Sequence, residues 1–334
     1  MEKCKVMPLK SLIIKIYPRL HITLIGMNEC GYRINGGVGF AIKEPALVAR
    51  FVRTRSFSLL DKRAIVLMKP EISRIKEIID KEKRSIQGKY NIKAEIEGEM
   101  PTHIGFGSSS AIRLACLEAL YLLNQYKPQR ERLVLSSGRG GTSGIGINSY
   151  FDGGIVFDLG RKGVEYSHKP SSLSEKRTKL PLVMQRMEMP NWKIGICIPE
   201  NISCKSEVEE IEFFNKTCPI SMKNVYKVLY DVIYGVYSAI RENDKQTFCA
   251  ALKSIQKCAW KKAERQMYGR KLLKTEKQLY QCGATAVGMS SLGPGLFFMA
   301  EDIEMVIGRM KKHGNNCRLI MTEPANLGRE IIHV

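Results

Sequence analysis

The sequence predicts a two-lobed fold of mixed α+β or α/β class, and three features predict it. Short runs rich in β-branched residues crowd the first hundred residues, helical patterns dominate 206–281, and a strand–helix–strand pattern closes the chain. With 334 residues, 44% of them hydrophobic, the chain can bury a core in each of two lobes, which we divide as 1–175 and 176–334.

In the first lobe, 12–16, 20–25, 38–42 and 46–52 alternate apolar and polar residues as strands do, and Gly31, Gly36, Gly37 and Gly39 read as turns between them. Pro70 opens an amphipathic helix with Ile72, Ile75, Ile78 and Ile79 on one face, ending near Gly88. Ile92, Ala94 and Ile96 mark a strand over 90–96. A glycine–serine loop follows at 101–110, then an apolar helix at 111–124. A second glycine-rich loop spans 136–146 and a short strand 155–159. The polar stretch 167–181, with Pro170, Ser171, Ser172, Ser174 and Pro181, reads as a linker or mobile loop. Beyond it the pattern gives a strand at 192–198, helices over 206–281, a strand at 296–299, a helix at 302–312 and a strand at 317–321.

Composition narrows the function. The formal charge of +20 favours anionic partners, either nucleic acid or small phosphorylated molecules. Lys and Arg are spread along the chain, and no basic stripe with interleaved aromatics marks a nucleic-acid reader. No apolar run reaches the ~18 residues of a membrane span, and the first ten residues lack a signal-peptide core, so a cytoplasmic protein is expected. The 10 cysteines sit singly with no C-x-x-C pair, which fits free thiols in a reducing compartment better than a zinc ribbon.

The strongest chemical signal is Pro101-Thr102-His103-Ile104-Gly105-Phe106-Gly107-Ser108-Ser109-Ser110-Ala111, between a strand and a helix. Glycines let successive N–H groups converge on an anion, and the helix N-terminus adds free donors and partial positive charge. Ser108, Ser109 and Ser110 can donate to phosphate or help hold a metal; capping the helix is the plainer alternative. The string lacks the lysine of a Walker loop.

This string resembles the phosphate-binding motif of the GHMP kinases. Pro18-Arg19-Leu20-His21 with Leu24 and Gly26 is similar to that family's first-strand motif, and 288–295 (Gly-Met-Ser-Ser-Leu-Gly-Pro-Gly) to its third, so the resemblance spans nearly the whole chain. It implies an α+β fold with a ribosomal-protein-S5-domain-2-like N-terminal lobe and a ferredoxin-like C-terminal lobe. One position departs. Aligning Ser143-Gly144-Ile145 with the kinases' S-G-I puts Gly146 where they carry a catalytic Asp, and glycine cannot accept a proton. Asp152 would need a shifted geometry to replace it.

Three strings, 19–24 (Arg-Leu-His-Ile-Thr-Leu), 33–40 (Arg-Ile-Asn-Gly-Gly-Val-Gly-Phe) and 138–146 (Gly-Arg-Gly-Gly-Thr-Ser-Gly-Ile-Gly), resemble the β-ribofuranosylaminobenzene 5'-phosphate synthase family, archaeal relatives of these kinases. That resemblance implies condensation of phosphoribosyl pyrophosphate with 4-aminobenzoate or 4-hydroxybenzoate in methanopterin synthesis, with loss of CO2 and pyrophosphate. It also implies Mg2+, a homodimer and no nucleic-acid or membrane partner. An ATP-dependent kinase and an RNA-binding protein are the alternatives.

Under this reading Gly105, Gly107 and Ser108–Ser110 cradle pyrophosphate, and Gly140, Gly141, Thr142 and Ser143 take the other anion, with Arg139 as a charged fork. Arg19 and His21, two apart on one strand, face the same way and are expected to contact a substrate anion. Arg33 with Gly36 and Gly37, His103, Asn148, and Ser290, Ser291 and Gly293 are further candidates for substrate contact. Ser109 and Asp152 are candidates for Mg2+, with Glu118 or water left open.

Overall fold

The structure is a computed structural model of the chain and describes residues 9–29, 31–139, 141–162, 168, 179–314 and 316–334. Its N-terminal part runs β1 (Ser11–Ile16), β2 (Arg19–Gly26), β3 (Arg33–Ala41), β4 (Leu47–Thr54), β5 (Ser58–Asp61), α1 (Lys69–Ser85), β6 (Asn91–Gly98), α2 (Ser108–Leu123), α3 (Arg130–Ser137), α4 (Ile145–Asp152), β7 (Ile155–Asp158), β8 (Arg161–Lys162) and β9 (Val183–Met187). Then follow β10 (Ile194–Pro199), α5 (Glu207–Thr217), α6 (Met222–Tyr230), a π-helical stretch over 231–237, α7 (Ser238–Glu242), α8 (Lys245–Ile255), α9 (Ala259–Gln281), β11 (Ala286–Met289), β12 (Leu296–Met299), α10 (Ile303–Lys312), β13 (Cys317–Thr322) and β14 (Glu330–His333).

Three sheets organise these elements: β14-β1-β4-β6-β5, β2-β3-β7-β9 with β8 on β3, and β11-β12-β10-β13. Taken as strands one to four of their unit, β10, β11, β12 and β13 lie in the order 4-1-3-2, all antiparallel, with helices between the first and second and between the third and fourth and a turn at 290–295 joining the middle pair, which is the ferredoxin-like arrangement. β9 and β14 lie beyond residue 176 in sequence yet pair with β7 and β1, so the chain returns twice to the N-terminal sheets.

The alternation read from the sequence sets which faces are dry. Leu12, Ile14 and Ile16 of β1 and Leu47, Ala49 and Phe51 of β4 are fully buried beneath α2, which packs on β1, β4 and β6. α2 is apolar nearly all round, so it runs through the core. α1 keeps the predicted face, with Ile75 and Ile79 buried and Ile72 and Ile78 at its edge.

Several expectations are corrected. Gly36, Gly37 and Gly39 are not turns but lie inside β3. A side chain at Gly39 would place its Cβ 2.4 Å from the Leu20 carbonyl, so glycine here allows two strands to approach. The apolar helix starts at Ser108 rather than 111, and two short helices, α3 and α4, flank the second glycine loop. Strands β5, β8, β9, β11 and β14 are additional. The predicted linker lies outside the described residues apart from 168 and 179–181.

The last strand is clamped by charge. Glu118, in the middle of α2, accepts from Arg329 Nη2 at 2.5 Å, Arg329 Nε at 2.9 Å and Tyr150 Oη at 2.8 Å. The Glu118 carboxylate is 2% exposed, so it depends on these donors. Arg329→Met is expected to destabilise the fold by roughly 3–5 kcal/mol in urea denaturation, and the double variant with Glu118→Leu to recover much of that loss. An unchanged midpoint for the single variant would contradict this account of the clamp.

Candidate active site

Two glycine loops meet back to back and form the floor of a cavity of about 360 Å³. Gly105 has φ +92, and a Cβ there would lie 1.9 Å from the Ser290 carbonyl. A Cβ on Gly293 would lie 2.0 Å from the Ile104 carbonyl carbon, so the two loops touch through bare backbone. Ser290 ties the contact to β2: its Oγ donates to Gly105 O at 2.7 Å and accepts the His21 N–H at 3.0 Å.

α2 starts directly after this loop, so the N–H groups of its first turn, at Ser108, Ser109 and Ser110, face the cavity without carbonyl partners one turn back. Around them stand three arginines. Arg19 donates from Nη1 to Gly105 O at 2.5 Å, and Arg113 from Nη1 to Ser137 O at 2.9 Å, which braces the loop carrying Arg139. The Nε atoms of Arg19, Arg113 and Arg139 are all buried with no hydrogen-bond partner among the described residues. Burial and the Arg139 charge lower Arg19 to about 10 and, with Arg74 added, Arg113 to about 9; burial lowers Arg139 as well. Glu264, Glu71, Glu207 and Glu210 offset part of this charge, and the donors left over can bind an anion.

Glu71, at the start of α1, joins that helix to the anion loop. It accepts from Ser109 Oγ at 2.9 Å and the Met68 N–H at 3.0 Å, and its carboxylate lies 3.0 Å from His103 Nε2. Burial opposes its ionisation, but the bonds from His103, Met68 and Ser109 outweigh it and hold the carboxyl at about 2. The same contact raises His103. Opposite, Glu264 accepts from Trp260 Nε1 at 2.7 Å and from the buried Lys261 ammonium. His21 is buried and held neutral, first by desolvation and then by Arg19 and Lys261; its Nε2 lies 3.3 Å from Ser143 Oγ. Asp158 fixes the Ser143 loop by accepting the Gly144 N–H at 2.5 Å and the Gly160 N–H at 2.8 Å.

Of the residues singled out in the sequence, Arg19, His21, His103, Gly105, Gly107, Ser108, Ser109, Ser110, Arg139, Thr142, Ser143, Ser291 and Gly293 line this cavity. Gly140 lies outside the described residues. The others stand apart from the lining. Arg33 is spent on the carbonyls of Leu159 (2.9 Å) and Gly160 (2.8 Å), so it holds the β7–β8 turn. Gly36 donates its N–H to Thr142 O at 3.0 Å and Gly37 makes room for the His21 ring, which places both behind the site. Gly141 is buried off the cavity wall. Asn148 bonds Arg130 and the Gly144 carbonyl, and Ser290 is the buried tie described above. Asp152 pairs with Arg130 at 2.6 Å at the far end of α4, so it does not join Ser109 in a metal site; Glu118 is consumed by the clamp.

Glu71, Arg74, Arg113, Lys205, Glu207, Glu210, Phe214 and Glu264 also line the cavity and were not foreseen. Only Arg113 had a sequence signal, as one of two charges, with Glu118, inside a largely apolar helix. Gly146 lines the cavity as well, and a Cβ there would sit 3.7 Å from Arg19 Nε. A carboxylate at 146 would therefore point at the arginine that the anion needs.

Comparison with known proteins gives the chain relatives in sequence and in fold. The GHMP kinases N terminal domain model matches residues 73–152. The β-ribofuranosylphenol 5'-phosphate synthase of Archaeoglobus fulgidus is 33% identical over 94% of this chain and 97% of its own, and that of Methanothermobacter thermautotrophicus 30% identical over 96% and 99%. Among solved structures, mevalonate diphosphate decarboxylase from Enterococcus faecalis (TM-score 0.67, 14% identity, 98% of this chain and 100% of that one) shares the fold. So does homoserine kinase from Cytophaga hutchinsonii (0.66, 13%, 99% and 100%).

The Glu71–His103 contact has a defined pH window. Glu71 is depressed from an ordinary 4.5 to about 2, so its contribution is present above 4.5 and lost as pH falls through 2. His103 is raised, so its share is complete below an ordinary 6.5 and lost as pH rises through its folded value. Urea midpoints should show wild type gaining on Glu71→Gln most between about 4.5 and 6.5. Parallel pH profiles for the two proteins would refute the assignment.

Proposed function

The chain belongs to the β-ribofuranosylphenol 5'-phosphate synthase family, and we propose that it condenses phosphoribosyl pyrophosphate with 4-hydroxybenzoate, releasing CO2 and pyrophosphate. The observation that carries this reading is the set of three arginines with unpartnered, buried Nε atoms around a glycine–serine loop. Both substrates are anions. The relatives' name puts a phenol in their product, which favours the hydroxyl acceptor over 4-aminobenzoate.

In this reading the N–H groups of 108–110 and the Arg19 guanidinium hold the pyrophosphate. Arg139, Thr142 and Ser143 hold the second anion. As the C1–O bond to pyrophosphate lengthens, the sugar carbon becomes oxocarbenium-like, and the ring carbon bearing the carboxylate attacks it. Loss of CO2 then restores aromaticity. Positioning and charge stabilisation supply the rate, and nothing in these steps needs a base at a sugar hydroxyl. Gly146 in place of the kinase Asp fits this chemistry, and it weighs against the kinase alternative because a carboxylate there would neutralise Arg19.

Mg2+ belongs to the same proposal. Ser109 Oγ and the Glu71 carboxylate, 2.9 Å apart beside the anion loop, are hard oxygen donors that would hold it together with substrate phosphates. Once bound, the ion would neutralise charge building on the departing pyrophosphate. A cytoplasmic homodimer completes the reading and rests on the resemblance; among the described residues no helix is long and apolar enough to cross a membrane.

Turnover with both benzoates, followed by mass spectrometry, tests the proposal. Pyrophosphate and CO2 are expected in equal amounts with a ribosyl phenol phosphate, and Arg139→Ala should lower kcat/KM by roughly 10²-fold or more. No product from either benzoate, with ADP formed in a control holding ATP and a small alcohol, would overturn it.

A further inference from the structure

Four carboxylates line the cavity, and three have partners. Glu71 is bonded to His103 and Ser109, Glu264 to Lys261 and Trp260, and Glu207 lies 3.8 Å from Arg74. The Glu210 carboxylate has no hydrogen bond or ion pair among the described residues, its backbone N–H alone being bonded, to Ser206 O at 3.0 Å. It stands on α5 one turn before Phe214, on the same face, and both line the cavity. Phe214 is buried against Trp260, with ring centroids 5.2 Å apart, so this wall combines a flat apolar surface with one uncommitted carboxylate.

The acceptor's geometry gives that carboxylate a task. Its own carboxylate sits on the carbon that attacks the sugar, so it must lie on the arginine side. The para hydroxyl is at the other end of the ring and points away from the arginines. We propose that Glu210 is a catalytic base that takes the proton of this hydroxyl while the ring lies against Phe214; the inference rests on the function proposed above.

The steps balance. The phenol O–H proton passes to the Glu210 carboxylate, and the freed electron pair moves through the ring to the para carbon. That carbon forms its bond to C1 as the bond from C1 to pyrophosphate breaks. The bond to CO2 then breaks, its electrons restore the aromatic ring and the phenolate, and Glu210 returns the proton. A carboxylate suited to this exchange titrates near neutral pH. Burial raises Glu210 to about 7, with Glu207 adding to the shift and His103 and Arg139 opposing it; Lys205, Cys204 and Tyr268 complete the ionisable surroundings.

Three readouts test it on the full-length protein. Glu210→Gln should fold with an unchanged circular dichroism spectrum and lose about 10²-fold in kcat with 4-hydroxybenzoate. Wild type should show an acid limb near pH 7 in its kcat/KM profile that Glu210→Gln lacks, and Glu210→Asp should restore part of both activity and limb. A fluorine beside the hydroxyl, in 3-fluoro-4-hydroxybenzoate, makes the proton easier to lose and should rescue Glu210→Gln relative to wild type. Retention of wild-type kcat and of the acid limb in Glu210→Gln would overturn the assignment while leaving the proposed reaction standing. Absence of pyrophosphate and CO2 release in wild type would instead remove the reaction itself, and the role of Glu210 with it.

Discussion

The site depends on a concentration of buried positive charge that the protein does not neutralise by itself. Arg19, Arg113 and Arg139 face one cavity, and each keeps a buried Nε without a partner among the described residues. Desolvation lowers all three, and the Arg139 charge lowers Arg19 and Arg113 further. Breaking a buried ion pair destabilises by roughly 3–5 kcal/mol, and holding an unpaired guanidinium out of water carries the same kind of penalty. The fold sustains it because the glycine loops are locked by backbone contact and because β2, the Ser290 turn and the Asp158-held loop brace one another. An incoming anion offsets that penalty, which turns stability set aside in folding into affinity and orientation.

The same constraint explains the departure from kinase chemistry. With Arg19 facing the position of Gly146, an aspartate there would cancel the charge that the loop has gathered. The cavity takes its carboxylates from α1, α5 and α9 instead, and of these the buried Glu264 offsets part of the desolvation of Arg19. Glu71 and Glu264 are each bound to a cationic or polar partner, and among the described residues Glu210 alone of the four is left unpaired. The result is a pocket with three arginines around its glycine–serine floor and, on α5, a wall that carries Phe214 and one unpaired carboxylate.

Much of the fold was legible because burial follows period. The alternation in β1, β4 and β6 and the three-to-four spacing of α1 each mark a face that the structure buries. The anion loop was legible because glycines and serines clustered between a strand and a helix suit few roles besides cradling an anion and capping the helix. Glycine was also where the reading failed. Gly37 and Gly39 serve close approach between strands, and a sequence carries no mark that separates this from a turn. Arg33 and Asp152 look like site residues when their partners are unknown, yet the structure commits them to backbone carbonyls and to Arg130. Glu71 and Glu210 were missed because α1 and α5 lie far from the motifs in sequence, and only tertiary packing brings their charges to the loop. The contribution of β14 to the first sheet was equally hidden, since it pairs residues about 320 positions apart, as Leu12 with His333 shows.

The most direct test of the central claim is calorimetric titration of the protein with inorganic pyrophosphate in Mg2+ buffer. The account predicts saturable binding, weakened by at least tenfold in Arg19→Ala and in Arg113→Gln and diminishing only modestly with salt, because the charges are buried. No binding, or equal binding by wild type and both variants, would contradict the claim that these arginines form an anion site.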